Sequence, residues 1–309
     1  MIFGAKNLQR LGNKFFFLKL FESQIAKLKI SNREYRKFAE KVLGLLLEQD
    51  SGNGDSTTAL LANPRKIVEA RIVAKSGGIL AGGEEVEFFA TKKGVEILAR
   101  KKDGAEVRRG EEALRLKGEA GRILLLERTV LNLLQRMSGI ATVSNSLARK
   151  IGRRKFAATR KTPLGLLDKK AVVVGGGLPH RLNLNDQILV KENHLAVDPD
   201  CWRKIFSARK RGSKFFEIEA DSEKLAFEVA EFFRGRKGLI LLLDNFAPAK
   251  LKSLVPKIRK INPKIILEGS GGITAKNAKA FLKSGVDFVS IGELTHSARV
   301  LDFSLEVFS

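Results

Sequence analysis

The stretch LILLLDNFAPAKLKSLVPKIRKINPKIILEGSGGITAKNAKAFLKSGVDFVSIGEL, residues 239–294, decides the fold class. It contains three short apolar runs: Leu239 to Leu243, Lys264 to Leu267 and Val286 to Ile291. Between them lie Pro248 to Lys260 and Thr274 to Ser284, each of helix length with apolar residues at helical spacing. Strand, helix and strand again, recurring every ~20–30 residues, indicates parallel β/α units, because a parallel neighbour needs a long crossover. Leu239 to Leu243 carries no polar side chain, which predicts a strand covered on both faces.

Upstream, the runs Lys155 to Thr159, Gln187 to Val190 and Phe215 to Ala220 fit the same series, with a helical pattern over Asp221 to Arg234. Two architectures satisfy it, a doubly wound sheet or a barrel. No G-x-G-x-x-G follows the first strand, which lowers the dinucleotide-binding option. Functional-looking residues instead end nearly every strand, as at the rim of a barrel. The expected fold is therefore α/β, a β/α barrel, complete or incomplete, with a second domain attached. That domain spans about Ser31 to Lys117: a helical run from Glu34 to Glu48, a polar loop from Gln49, then short segments broken by glycines. They read as a small mixed sheet with hairpin-like turns such as Asp103-Gly104. Ile123 to Arg136 has helical periodicity, and Ser138-Gly139 is expected to punctuate it before a second helix from about Ala141 to Lys150.

Composition narrows the classes. With 309 residues and 44% hydrophobic content, a sizeable core is available, and no apolar run has the length of a membrane span. The single cysteine, Cys201, excludes an intrachain disulfide and a multi-cysteine zinc site, and fits a reducing cytoplasm. Residues 1–30 are basic and include Phe15-Phe16-Phe17; without a signal-like core they read as a basic N-terminal extension. The net charge of +23 invites a nucleic-acid reading, yet there is one Trp and one Tyr, and the cations are spread along the whole chain. A general basic bias explains that spread at least as well.

Chemistry concentrates between Ala158 and Leu195. Arg160 and Lys161 follow one strand, Lys191 follows another, and His180 and Arg181 come just after Gly175-Gly176-Gly177. Arg grips carboxylates and phosphates bidentately and Lys supplies a compact charge, so cations converging on one barrel mouth suit a polyanionic small molecule. The glycines could let backbone approach an anion or simply serve a tight turn. In Phe215 to Asp221, alternation puts Glu217, Glu219 and Asp221 on one face; Asp244 closes the next strand. These oxygens fit Mg²⁺, or an ion pair with Lys161 or Lys191. Glu268-Gly-Ser-Gly-Gly-Ile273 after a strand and before a helix at about Thr274 makes an anion nest.

Taken in order, Gly52 to Thr58, Glu127 to Thr142, Thr159-Arg-Lys-Thr162, Gly175 to Gly177 with His180-Arg181, and Leu189 to His194 carry a family pattern. Glu217-Ile-Glu219, Leu243-Asp-Asn245, Glu268 to Ile273 and Ser290 to His296 complete it. Over roughly Leu45 to Val307 the chain closely resembles quinolinate phosphoribosyltransferase. The resemblance implies phosphoribosyl transfer from phosphoribosyl pyrophosphate to quinolinate with decarboxylation, giving nicotinate mononucleotide, pyrophosphate and CO₂, in NAD biosynthesis. It implies an open, incomplete β/α barrel over 127–294 and an N-terminal α/β sandwich domain over 31–126, completed by 295–309. It also implies that Arg160, Lys161, His180 and Arg181 surround the pyridine carboxylates, that Lys161 and Lys191 reach the phosphoribosyl donor, and that Thr159 and Gly292 bind substrate. Glu219 and Asp244 would hold Mg²⁺, and Ser270, Gly271 and Gly272 the 5′-phosphate. By the same resemblance Lys161, Lys191, Glu219 and Asp244 are the expected catalytic residues. Arg128 would be donated to a neighbouring subunit, in a homodimer or a hexamer of dimers. The family pattern is departed from at Ala158, in a shortened segment after Thr162, and at Pro179. The Pro-His-Arg version also occurs in relatives encoded with molybdate-transport genes.

Overall fold

The computed structural model describes residues 19, 21–205, 216–236 and 238–308. The chain forms two compact units: one takes residues up to 24, 148–161 and 178–293, the other takes 25–147, 162–177 and 294 onward. Phe15 to Phe17 lie outside the described residues.

The sandwich unit begins with helix α1 (Arg33–Ser51). Asn32 caps it by accepting the N–H groups of Glu34 and Tyr35, and Tyr35, Ala39, Leu43 and Leu47 line its buried face. Asp55 likewise caps α2 (Ser56–Leu61). The strands are β1 (Ile67–Ala74), β2 (Gly78–Ile79), β3 (Glu96–Arg100), β4 (Glu106–Val107) and β5 (Glu112–Glu119), with α3 (Gly83–Lys92) after β2. β3, β5 and β1 form an antiparallel sheet whose fourth member is the last strand of the chain, Phe303–Phe308. Its Val307 lies opposite Ala70 and its Leu305 opposite Ile72, so distant ends of the sequence share one sheet.

Three expectations are corrected here. Asp103-Gly104 turns the chain but joins no hairpin, since β4 pairs with β2 and β3 with β5. The Asp103 carboxylate instead accepts the N–H groups of Gly82 and Gly83 at the start of α3. Ser138-Gly139 does not break the helix, and α4 runs unbroken from Ala120 to Ile151. A Cβ on Gly139 would lie 1.8 Å from the Arg299 carbonyl oxygen, and Ser138 Oγ bonds the backbone of Ala81. These residues mark a close crossing and not a helix end. Finally, the units do not follow the contiguous blocks 31–126 and 127–294. Most of α4 belongs to the sandwich unit, and so does α5 (Leu166–Val174). Side-chain attachments hold α5 there: Arg136 grips Asp168 with bonds of 2.8 and 2.7 Å, and Lys170 Nζ reaches Glu85 at 2.6 Å and Glu84 at 2.7 Å. Gly175, next along, presses on α4, where a Cβ would meet Ser144 Cβ at 2.3 Å. Its role is close packing, and Gly176, with φ of 103°, supplies the turn.

The barrel unit has six parallel strands: β6 (Phe156–Ala157), β7 (Ile188–Val190), β8 (Phe216–Ala220), β9 (Leu239–Asp244), β10 (Ile266–Ser270) and β11 (Phe288–Ser290). Their order is β6-β11-β10-β9-β8-β7. Each strand pairs with its successor and the last with the first, except that β6 and β7 do not pair. That is a barrel opened at one seam, with Leu178 bridging in parallel to Ala157 along the gap. β9 is buried from Leu239 to Leu243, as its apolar run requires. The crossover helices are α7 (Glu223–Phe232), α8 (Pro248–Ile261) and α9 (Ala278–Lys283), after a short α6 (Glu192–Val197). α8 buries Leu251, Leu254, Val255 and Ile258, a stripe at i, i+3, i+4 and i+7. Phe21, fully buried, stacks edge-on against Phe288 of β11 with ring centres 5.9 Å apart. The terminal strand Phe303–Phe308 is β12.

Candidate active site

The parallel sheet collects the sequence-expected residues at one end of its strands. Thr159, Arg160 and Lys161 follow β6, Lys191 follows β7, Asp244 ends β9, Ser270 ends β10 and Gly292 follows β11. On β8, the parallel register places Glu219 beside Leu242 and Leu242 beside Glu268, so these three share a side, with Glu217 two residues back on it.

Glu219 forms an ion pair with Lys191. Its carboxyl is pushed up to about 7 by burial and by a hydrogen bond with Glu192, with Asp244 adding to the rise and Lys191 opposing it. Glu192 is held low as the other member of that carboxyl pair. Asp244 accepts a 2.7 Å hydrogen bond from Asn245 Nδ2. Asn245 has φ of 59°, and its N–H donates to the Ser270 carbonyl at 3.0 Å, linking the ends of β9 and β10. Asn245 also lies so close to Gly271 that a Cβ there would be 2.1 Å from its Oδ1. Only glycine fits at Gly271, which has φ of 87°, followed by Gly272 at 60°. The expected helix at Thr274 starts later, at Ala278, because Asn277 Oδ1 accepts the Thr274 N–H and its amide donates to the Gly272 carbonyl. The Ser270-Gly271-Gly272 turn thus stands on its own backbone geometry, without a helix directly behind it.

The cations divide into two kinds. Lys191 is already paired, whereas neither Arg160 nor Arg181 makes an ion pair among the described residues. Arg181 is buried, donates to the Gln187 carbonyl at 3.4 Å, and leaves its Nε without a partner. Burial lowers its pKa, the charge of Arg160 lowers it further, and the charge of Glu217 opposes them. Thr159 Oγ1 accepts the Lys161 N–H at 3.1 Å and braces this segment.

His180 has both ring nitrogens engaged. Nδ1 faces the Arg181 N–H at 2.9 Å, and Nε2 lies 3.2 Å from Glu217 and 3.4 Å from Glu268. Burial opposes a charged ring, but the two carboxylates outweigh it and push the imidazole pKa up to about 10. The hydrogen-bond geometry points the other way, because a proton on Nδ1 would meet the Arg181 N–H. Geometry decides: the ring is neutral with its proton on Nε2, and the carboxyl pair relieves its own repulsion by keeping a proton. Glu268 fits that role, its carboxyl raised to about 7 by burial and by the charge of Glu217. The triad brings its nitrogen and two oxygens within 4.8 Å of one another, and the Nε2 proton occupies the space a cation would take.

Arg128 lies in the sandwich unit, exposed on α4. Sequence reading did not single out Glu192, Gln187, Asn245 or Ser290. Glu192 and Asn245 sit directly after Lys191 and Asp244, and that adjacency was the available signal. Ser290 opened one of the family motifs, whereas Gln187 had no signal beyond its position at a strand start.

Comparison with known proteins fixes the family. Residues 55–138 match the model of the quinolinate phosphoribosyl transferase N-terminal domain, and residues 140–306 match that of its C-terminal domain. The chain belongs to the quinolinate phosphoribosyltransferase family. A probable nicotinate-nucleotide pyrophosphorylase [carboxylating] from Archaeoglobus fulgidus is 39% identical over 254 residues, covering 80% of this chain and 96% of that protein. Its counterpart from Bacillus subtilis is 36% identical over 275 residues, covering 87% and 93%. The crystal structure of NadC from Streptococcus pyogenes superposes with a TM-score of 0.75 at 32% identity, over 87% of this chain and 96% of that one. The two family models divide this quinolinate phosphoribosyltransferase into an N-terminal and a C-terminal part, the second holding β6 to β11. No helix among the described residues is long and apolar enough to cross a membrane.

Proposed function

We propose that this protein transfers the phosphoribosyl group of phosphoribosyl pyrophosphate to quinolinate and releases pyrophosphate and CO₂, yielding nicotinate mononucleotide. The observation that carries the reading is the pair of arginines, Arg160 and Arg181, close enough for the charge of one to lower the pKa of the other, and neither in an ion pair among the described residues. A pyridine dicarboxylate supplies the missing charge in a planar form that guanidinium groups recognise. Thr159, His180 and Lys161 complete that half of the site. Lys191 and Lys161 face the phosphoribosyl donor, and the Ser270-Gly271-Gly272 turn with Gly292 holds its phosphate through backbone N–H groups. Lys161, Lys191, Glu219 and Asp244 are the residues assigned to catalysis.

Glu219 and Asp244 fit a hard divalent cation: both offer oxygen only, and Asp244 is near enough for its charge to raise the Glu219 carboxyl. Glu219 and Asp244 would hold Mg²⁺ there, and the ion would supply positive charge for the pyrophosphate group. Catalysis of this kind rests on positioning two anions and stabilising the charge that develops between them. The same reading includes Arg128 reaching a neighbouring subunit's site in a homodimer or a hexamer of dimers, in the cytoplasm.

The test is product analysis with quinolinate, nicotinate and other aromatic acids offered separately with phosphoribosyl pyrophosphate and Mg²⁺. Nicotinate mononucleotide and CO₂ in equal amounts, from quinolinate alone, are expected. Turnover of another acid with quinolinate ignored would reject the assignment in favour of the relatives that share Pro179-His180-Arg181.

A further inference from the structure

Arg181 does not stand free at the barrel mouth; the residues that fix it trace back to one carboxylate below the rim. Its main-chain N–H is taken by His180 Nδ1 at 2.9 Å, and its guanidinium Nη1 by the Gln187 carbonyl at 3.4 Å. The side chains of both anchoring residues, His180 and Gln187, are held by Glu217, which is fully buried on β8. One of its oxygens lies 3.2 Å from His180 Nε2, and the other accepts Gln187 Nε2 at 3.2 Å. Glu268 approaches the same His180 ring nitrogen, Nε2, at 3.4 Å and is itself bonded by Ser290 Oγ. The arrangement is held against backbone cost, because His180 sits at φ of 54°, a left-handed conformation that a non-glycine residue adopts only when its surroundings impose it.

We propose that Glu217 is a positioning residue for the quinolinate subsite, clamping Arg181 from two directions through His180 and Gln187. It touches no substrate. Its effect is to present a buried guanidinium, with an unpartnered Nε, at a fixed angle beside Arg160. This rests on the functional reading above, because it takes Arg181 to be the carboxylate-binding residue. The clamp acts on one substrate only: the phosphoribosyl side, with Lys191 and the Ser270 turn, has no hydrogen bond to Glu217.

The experiment compares steady-state kinetics of wild type, Glu217→Gln and Gln187→Leu, varying each substrate at saturating levels of the other. Gln187→Leu removes the side-chain amide but keeps the carbonyl that holds Arg181, so it loosens the clamp more gently. Glu217→Gln is expected to raise the KM for quinolinate about 10–100-fold, the scale of lost charged hydrogen bonds. The KM for phosphoribosyl pyrophosphate and kcat should each stay within a few-fold. Gln187→Leu should show the same selectivity with a smaller rise, and it decides the matter if Glu217→Gln fails to fold. Equal effects on both substrates, or an unchanged quinolinate KM in folded variants, would overturn the clamp. A wild type that ignores quinolinate would overturn the functional reading instead, and wild-type turnover separates the two failures.

Discussion

A single carboxyl group links the buried network to a measurable pH dependence. Glu268 in the folded chain titrates near 7 against a usual 4.5, because burial and then the charge of Glu217 disfavour its ionised form. The folded state therefore holds the proton more tightly than the unfolded one. Its contribution to stability is full below about pH 4.5 and is lost as pH rises through about 7, a change on the order of 3 kcal/mol. Trp202 is the sole tryptophan, lies in the barrel unit and is buried, so its fluorescence reports unfolding there. Urea unfolding of wild type should weaken between those pH values, and Glu268→Gln should flatten that slope. Parallel slopes in the two proteins would show that Glu268 does not carry this proton. At this scale the sequence announced chemistry by type and adjacency, as in Arg160-Lys161 and Lys191 followed by Glu192. It could not show that Lys191 pairs with Glu219 while Arg181 makes no ion pair among the described residues, since pairing depends on which strands the register brings together.

Among elements, the barrel strands were the most legible, because a fully apolar run such as Leu239 to Leu243 has few other places to go. α4 was misread for an equally physical reason. Gly139 carries a helix-breaking signature, yet it is there to let the chain at Arg299 cross at contact distance. Gly139→Ala tests this cleanly. Helix propensity alone favours alanine by ~1 kcal/mol, but the clash is with a backbone carbonyl that cannot rotate away. Overpacking should win, with a net destabilisation of about 1–3 kcal/mol, seen as a lower midpoint in thermal unfolding. A raised midpoint would mean that the crossing is looser than the 1.8 Å approach implies. The triple glycine follows the same logic: Gly175 packs against Ser144, a contact 31 residues away that local pattern does not reveal.

For the whole molecule, the net charge of +23 did not point to the family, whereas the ordered motifs from Gly52 to His296 did. The sheet that unites β1 with β12 was legible only through family resemblance, as pairing between distant strands leaves little local trace. Arg128 raises the question of assembly. If it completes a neighbour's site, mixing inactive Arg128→Ala with inactive Lys191→Ala should restore turnover in hybrid assemblies, as some sites then keep both residues. No recovery on mixing, with subunit exchange demonstrated, would place Arg128 outside the site. The central claim is that Arg160 and Arg181 await the carboxylates of quinolinate, and calorimetric titration of quinolinate into wild type and Arg160→Ala tests it most directly. Arg160 is exposed and in no ion pair among the described residues, so its removal should leave the fold intact. The account predicts measurable binding to wild type and a loss of about 2–5 kcal/mol in the variant; equal affinity in the two proteins would contradict it.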